Sequence, residues 1–231
     1  MNKNNNQKNN FTNRNERQMV NTNKTNSPSA NQSLISTLPK EDLSEIEIEG
    51  LVWMREEEKL ARDVYRTLYE TWGLRTFDNI SSSENTHTLA VKELLDRYEI
   101  IDPVTDDATG EFSIPEIQKL YTDLVTQGKV SLVDALRVGA SIEDLDIKDL
   151  HEWLTKTDNQ DITLVYENLL RGSQNHMRSF VKQLENNGSS YTAQYLSQTE
   201  IDSILAGEQQ QGSHAGQQGA GQGKGGPGRN R

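Results

Sequence analysis

The chain has 231 residues, a formal net charge of −11 and no cysteine. The lack of cysteine excludes disulfides, thiolate catalysis and cysteine-bound zinc or iron–sulfur sites, so any metal must be held by oxygen and imidazole ligands. No apolar run of about 18 residues occurs that could span a membrane, and residues 1–30 contain no apolar signal core. We therefore expect a cytoplasmic protein with no membrane segment.

Composition divides the chain into three parts. Residues 1–43 are rich in Asn and residues 207–231 in Gly and Gln, so both tails are predicted to be disordered because they bury little apolar surface. Residues 44–206 are predicted to form one folded domain.

Charge follows the same division. Lys and Arg minus Asp and Glu give +5 for residues 1–40 and +2 for 207–231, which leaves −18 for the middle of the chain. The acidic middle disfavours nucleic-acid binding because phosphate repels it. The basic N-terminal tail is a candidate contact for a partner, and a homodimer is a further expectation, since dimers are the commonest oligomers.

Apolar residues recur at intervals of three and four through most of the middle part, which predicts helices. Ser131 with Asp134 resembles an N-terminal cap. Gly139 interrupts one pattern, and Ser141 and Asp144 could cap a new helix there, so that element is expected to be kinked or split. The predicted helices cover residues 47–72, 76–98, 114–127, 131–155, 161–187 and 191–205.

No alternation typical of strands occurs, so the predicted fold class is all-α. The first two long helices are joined by about three residues, and the last two are also joined tightly, which favours antiparallel pairs. Between the pairs lie about 30 residues with a short helix, long enough to cross the bundle. This order predicts a ferritin-like four-helix bundle with a long crossover and a short C-terminal helix.

Each long helix contains at least one acidic or histidine residue that could be a ligand, and their order resembles that of carboxylate metal sites in such bundles. Glu84 and His87 share a helix face because three residues separate them. Carboxylates and imidazoles together suit iron or manganese, as one ion or two. Tyr65 lies two turns from the first carboxylate and is a candidate redox-active neighbour. The candidate ligands are Glu58, Glu84, His87, Glu143 and His176.

Three segments of the chain resemble the DUF2202 family, an uncharacterised ferritin-like group of bacterial and archaeal proteins. They are residues 54–65 (MREEEKLARDVY), 135–147 (ALRVGASIEDLDI) and 172–176 (GSQNH). The resemblance covers residues 48–187. It implies a ferritin-like fold and leaves the activity open, because the function of the family is not established.

One position departs from the ferritin-like pattern. Ser173 lies three residues before His176, where the pattern has Glu, and Glu167 is on the opposite face of the helix. Asp146, one turn beyond Glu143, could supply the missing carboxylate. Otherwise the site has three carboxylates and two imidazoles, which could still hold one metal ion, or two with extra water.

Several residues also have simpler interpretations. Glu84 could complete a capping box with Ser81, Glu143 could be an acidic first-turn residue, and His176 could be a hydrogen-bonded core residue. Two of the three residues 56–58 are expected to be exposed. Weaker candidates, expected to pair with the ligands, are Arg62, Asn175 and Arg178.

Two functions remain open from the sequence. The first is a metal-dependent redox protein in which iron or manganese reacts with oxygen or peroxide. The second is a non-enzymatic helical scaffold with a degenerate metal site, whose tails recruit partners. A measurement of iron and manganese binding distinguishes these two functions.

Overall fold

The structure is a computed structural model that describes residues 34–207. Over this range the chain forms helices and no strand, which confirms the all-α prediction. The predicted disorder of residues 1–33 and 208–231 lies outside the described residues. The helices are α1 (Glu45–Trp72), α2 (Arg75–Tyr98), α3 (Pro115–Gly128), α4 (Leu132–Leu154), α5 (Gln160–Asn186) and α6 (Gln198–Ala206).

The four long helices form a bundle of two pairs. Ser44 begins α1 with a capping box to Glu47, and Gly73 ends it with a φ of 65°. Only Gly73 and Leu74 separate α1 from α2, so the two helices fold back on each other and pack along their length. Helices α4 and α5 form the second pair, and the pairs meet along α2 and α5 and along α1 and α4.

Helix α4 is continuous, so the split expected at Gly139 does not occur. A Cβ at Gly139 would lie 2.5 Å from Cε1 of Phe180, which shows that glycine lets α4 approach the Phe180 ring closely. The expected cap at Ser131 is confirmed, since its hydroxyl accepts a hydrogen bond from the Asp134 N–H at 3.1 Å.

Asp144 holds the C-terminal segment rather than capping a helix. Its buried carboxylate accepts hydrogen bonds from the Tyr191 hydroxyl and from three successive backbone N–H groups, those of residues 194–196. This attachment requires a non-helical segment, so α6 begins at Gln198 instead of at the predicted residue 191. Ser197 caps α6.

The packed part of the chain begins before residue 44. Ile35 is only 1% exposed and lies in the same apolar cluster as Leu51. Arg97 donates a hydrogen bond to the Leu38 carbonyl at 2.7 Å. Residues 34–43 therefore lie against the helical domain.

One face of α1 anchors the crossover segment between α2 and α3. The Glu56 carboxylate accepts hydrogen bonds from the backbone N–H groups of Ser113 and Ile114, where α3 begins. Arg55 pairs with Asp102 at 3.0 Å. Because these contacts bury Glu56, the expectation that two of residues 56–58 are exposed is wrong: all three are buried.

A buried ionic cluster lies next to this anchor. Nζ of Lys59 lies 2.6 Å from the Asp63 carboxylate and donates to the carbonyls of Ala108 and Glu111. Arg62 contacts Asp63 and reaches Asp107 at 2.6 Å. Arg62 therefore binds the crossover and not a candidate metal ligand, contrary to our expectation.

Within residues 34–207, no helix combines the length and the apolar character that crossing a bilayer requires.

Candidate metal centre

The candidate ligands form a polar layer inside the bundle, between two apolar clusters. One cluster contains Tyr65, Phe77 and Phe180, and the other contains Met54 and Leu169. Each long helix passes from one cluster to the other and contributes a polar side chain to the layer between them. The layer contains Glu58 from α1, Glu84 and His87 from α2, Glu143 from α4 and His176 from α5.

Glu84 is at the centre of this layer and contacts both imidazoles. Its Oε2 lies 2.7 Å from Nδ1 of His87, and its Oε1 lies 2.7 Å from Nδ1 of His176. The two rings stack with their centroids 5.5 Å apart. One carboxylate therefore presents a separate oxygen to each of two nitrogen donors.

The other two glutamates complete the arrangement. Oε2 of Glu58 lies 3.3 Å from Nδ1 of His87, and Oε2 of Glu143 lies 3.6 Å from Nδ1 of His176. Two groups result, Glu58 with Glu84 and His87, and Glu84 with Glu143 and His176. Within each group the ligand atoms all lie within 4.8 Å of one another.

Three buried polar atoms in and beside this layer have no hydrogen-bond partner among residues 34–207. They are Oε1 of Glu58, Nδ1 of His176 and Oδ1 of Asp146. Nδ1 of His176 is close to Glu84 but at an angle that makes no hydrogen bond. Buried polar atoms without a partner are costly, and coordination to a cation would satisfy such donors. The residues present therefore fit a metal ion.

Asp146 is beside the layer and does not complete either group of ligands. Its Oδ2 accepts a hydrogen bond from the Ser173 hydroxyl, and Ser173 also donates to the Leu169 carbonyl at 3.0 Å. Asp146 is thus hydrogen-bonded to the residue at the position where the ferritin-like pattern has Glu. Its role as a ligand stays a prediction.

Tyr65 contacts the layer from the apolar side. Its hydroxyl donates a hydrogen bond to Oε1 of Glu143 at 2.6 Å and lies 3.3 Å from the Gly139 carbonyl. The ring is fully buried against Phe77 and Phe180. Burial and the charge of Glu143 raise the pKa of the Tyr65 hydroxyl well above its ordinary value, so it stays a donor.

In the absence of a metal, the imidazoles carry the charge that balances Glu84. Burial opposes the ionisation of Glu84, but the charges of His176 and His87 outweigh it and lower its pKa. Burial likewise opposes protonation of His176, yet Glu84 and Glu143 raise its pKa to about 10. The pKa of His87 is also raised, by Glu84 and Glu58 against burial.

The pKa values of the other carboxyls in and beside the layer are raised. Burial raises the pKa of Glu58 to about 7 despite the opposing charge of His87. Burial also raises the pKa of Glu143, and burial together with the charge of Glu58 raises that of Asp146. Bound cations would oppose these shifts, because a nearby positive charge favours the ionised carboxylate.

These shifts predict how the stability of the metal-free protein depends on pH. His176 binds a proton more tightly in the folded chain than in the unfolded one, whose imidazole pKa is about 6.5. Between pH 7 and 10 the folded state binds more protons, so the free energy of unfolding falls as pH rises, by up to about 1.4 kcal/mol per pH unit for each such proton. Urea unfolding at pH 7, 8 and 9 with a chelator measures this slope.

The control for this measurement is the exposed histidine His151. The slope should become shallower in His176→Gln and stay unchanged in His151→Gln, because His176 is buried beside Glu84 and Glu143 whereas His151 is exposed. A stability that rises between pH 7 and 9 in the unsubstituted chain would contradict the assigned charges.

The structure decides between several interpretations of these residues. Glu84 and Ser81 both lie inside α2, so Glu84 is not part of a capping box. Glu143 lies in the middle of α4 rather than in its first turn. Glu167 is exposed, as the helix geometry predicted.

One of the weaker candidates on α5, Arg178, contacts another part of the fold. Arg178 donates hydrogen bonds to Asn175 and to the Ile204 carbonyl in α6. Two further neighbours of the layer, Ser83 and Gly172, were not predicted from the sequence. Ser83 lies within 3.0 Å of His176, and Gly172 lies against His87. Only the packing of α2 on α5 reveals their positions.

Comparison with known proteins places the chain in a family. Residues 47–208 match the model of an uncharacterized protein domain, DUF2202. The chain is 58% identical over 178 residues to "Uncharacterized protein MJ0754" of Methanocaldococcus jannaschii, covering 77% of this chain and 96% of that protein. It is also similar to the crystal structure of the hypothetical protein MJ0754, with a TM-score of 0.74 over 75% of this chain and 99% of that one. The chain therefore belongs to the DUF2202 family.

Proposed function

We propose that the helical domain is a ferritin-like metal-binding protein that holds two ions of iron or manganese and reacts with oxygen or peroxide. The observation that carries this proposal is the Glu84 carboxylate, which presents one oxygen to each of two imidazoles. A carboxylate so placed could serve as a shared ligand of two cations, as in two-metal sites. Each imidazole has a further glutamate beside it, so each cation would have its own oxygen and nitrogen donors.

The donor set favours particular metals. One ion would be bound by Glu58 and His87, and the other would be bound by Glu143 and His176. Both ions would be bound by Glu84. Carboxylate and imidazole donors suit iron and manganese, while the absence of cysteine removes the soft ligands that favour copper(I). Asp146 is the proposed fourth carboxylate, and Ser173 orients it. Four carboxylates would balance the charge of two divalent ions.

The chain's own groups would control the surroundings of the bound ions. Such ions supply one-electron redox chemistry toward oxygen or peroxide. Tyr65 orients Glu143 through its hydrogen bond and keeps its proton at Oη, and it is the proposed redox-active neighbour. Phe77 and Phe180 enclose Tyr65 and exclude water from that side of the layer.

Anaerobic titration with Fe²⁺ tests the proposal directly. We expect two ions per chain by calorimetry or equilibrium dialysis, and a ferric absorption band when oxygen is then admitted. Manganese analysis of protein from supplemented medium tests the second metal. A chain that binds no Fe²⁺ or Mn²⁺ would favour the alternative, a helical scaffold with a degenerate site. A homodimer, a partner for the basic tail and a cytoplasmic location stay predictions.

A further inference from the structure

The seam between α2 and α5 brings each imidazole against a residue of the opposite helix. His87 projects from α2 toward Gly172 of α5, and His176 projects from α5 toward Ser83 of α2. Neither Ser83 nor Gly172 belongs to the two groups of candidate ligands. Each of them contacts the edge of an imidazole ring that faces away from Glu84.

Ser83 contacts the outer nitrogen of His176. Nε2 of that ring lies 3.0 Å from the Ser83 hydroxyl, while Nδ1 is the atom directed toward Glu84 and Glu143. When Nε2 donates its proton to the Ser83 oxygen, Nδ1 is left with a lone pair. A hydrogen bond at one ring nitrogen thus decides which nitrogen is free to bind a cation.

Gly172 provides the space that His87 occupies. A Cβ at Gly172 would lie 2.4 Å from Cε1 and 2.5 Å from Nε2 of His87, closer than unbonded atoms approach each other. The same Cβ would be 3.7 Å from Nδ1, which faces inward. Any larger residue would therefore push the ring and displace the nitrogen that lies beside Glu84 and Glu58.

We propose that Ser83 and Gly172 are positioning residues for the two nitrogen ligands. Ser83 fixes the Nε2–H tautomer of His176, and Gly172 fixes the location of the His87 ring. This inference rests on the proposed function. Each imidazole would then depend on one residue of the opposite helix, His176 on Ser83 and His87 on Gly172. The affinity for each ion could therefore be lowered without changing the affinity for the other.

The test for Ser83 combines Fe²⁺ affinity with a spectroscopic readout. We expect Ser83→Ala to lower the affinity for the Fe²⁺ ion bound by His176 by about 10- to 100-fold. Ser83→Thr should restore that affinity because the hydroxyl returns. In Zn²⁺-loaded protein, ¹⁵N spectra of the histidines should show the proton on Nε2 of His176, and in Ser83→Ala this signal should shift or broaden. Ser82→Ala, at the exposed neighbouring position, is the control and should change neither readout.

The test for Gly172 uses stoichiometry. Gly172→Ala is expected to reduce the Fe²⁺ content from two ions to one, because His87 is displaced and His176 is not. In a His87→Ala background the same substitution should have no further effect on binding, since the ring that it displaces is gone.

The outcomes separate this inference from the proposed function. If the unsubstituted chain binds no Fe²⁺, the proposed function fails. If it binds two ions and Ser83→Ala retains both the affinity and the His176 spectrum, Ser83 has no positioning role. Equal Fe²⁺ content in Gly172→Ala and the unsubstituted chain would overturn the role of Gly172.

Discussion

Asp63→Asn should lower the free energy of unfolding by about 3–5 kcal/mol, the usual cost of removing one partner from a buried ion pair. The Lys59 and Asp63 side chains are both fully buried, 2.6 Å apart. Asp63 also contacts Arg62 and accepts a hydrogen bond from the Gly110 N–H at 3.1 Å. The substitution leaves two buried cations short of an anion, and it loosens the crossover segment. Urea unfolding at pH 7 measures the difference.

The chain contains a matched control for this prediction. Lys119 and Asp123 have the same residue types and the same spacing as Lys59 and Asp63, but both side chains are mostly exposed. Asp123→Asn should cost less than about 1 kcal/mol because solvent screens the pair. Replacing Lys59 and Asp63 together by Met and Leu should recover part of the loss, because Lys59 no longer remains as a buried charge without its anion. Equal losses in the two single variants would show that burial of the Asp63 pair has no energetic effect.

This buried cluster also shows what the sequence could not reveal. The run from Arg55 to Asp63 is so highly charged that its pattern predicts a largely exposed helix face. Its partners are mainly backbone groups and short side chains of residues 102–114, which show no periodicity. Burial of this face follows from the path of the crossover, and no local pattern specifies that path.

The layer of candidate ligands was predictable because it depends on helix geometry. A spacing of three residues places Glu84 and His87 on one face, and the order of the helices brings the other carboxylates and His176 to the same level. The helix bounds were predictable to within a few residues wherever a cap or a glycine marks them. The exception is α6, because Asp144 fixes the preceding segment through contacts that are distant in sequence.

Gly139 and Ser173 illustrate the limits of interpretation at single positions. Gly139 looked like a break in the helix, but its function is to admit the Phe180 ring between α4 and α5. Ser173 looked like the loss of a ligand, but its hydroxyl reaches Asp146 on the neighbouring helix. Both residues act through tertiary contacts, which neither spacing nor composition can predict.

Glu84→Gln should abolish the binding of both proposed ions, a loss of at least about 100-fold, or nearly 3 kcal/mol for each ion. Glu84 is the only carboxylate common to both groups of ligands found among residues 34–207. The amide keeps the size of the side chain but removes its negative charge, and its nitrogen cannot coordinate a cation as the carboxylate oxygen does. Anaerobic Fe²⁺ titration of the variant should therefore give no ion per chain.

Substitutions of the other two glutamates test whether Glu84 is a ligand shared by both ions. Glu58 and Glu143 each belong to one group, so Glu58→Gln and Glu143→Gln should each reduce the Fe²⁺ content from two ions to one. Glu167→Gln, on the exposed face of α5, should leave two. A Glu84→Gln chain that still binds one ion would mean that the two groups are independent sites. The stoichiometries of these four variants thus distinguish a bridged pair of cations from two separate ones, because only a bridging residue removes both when it is changed.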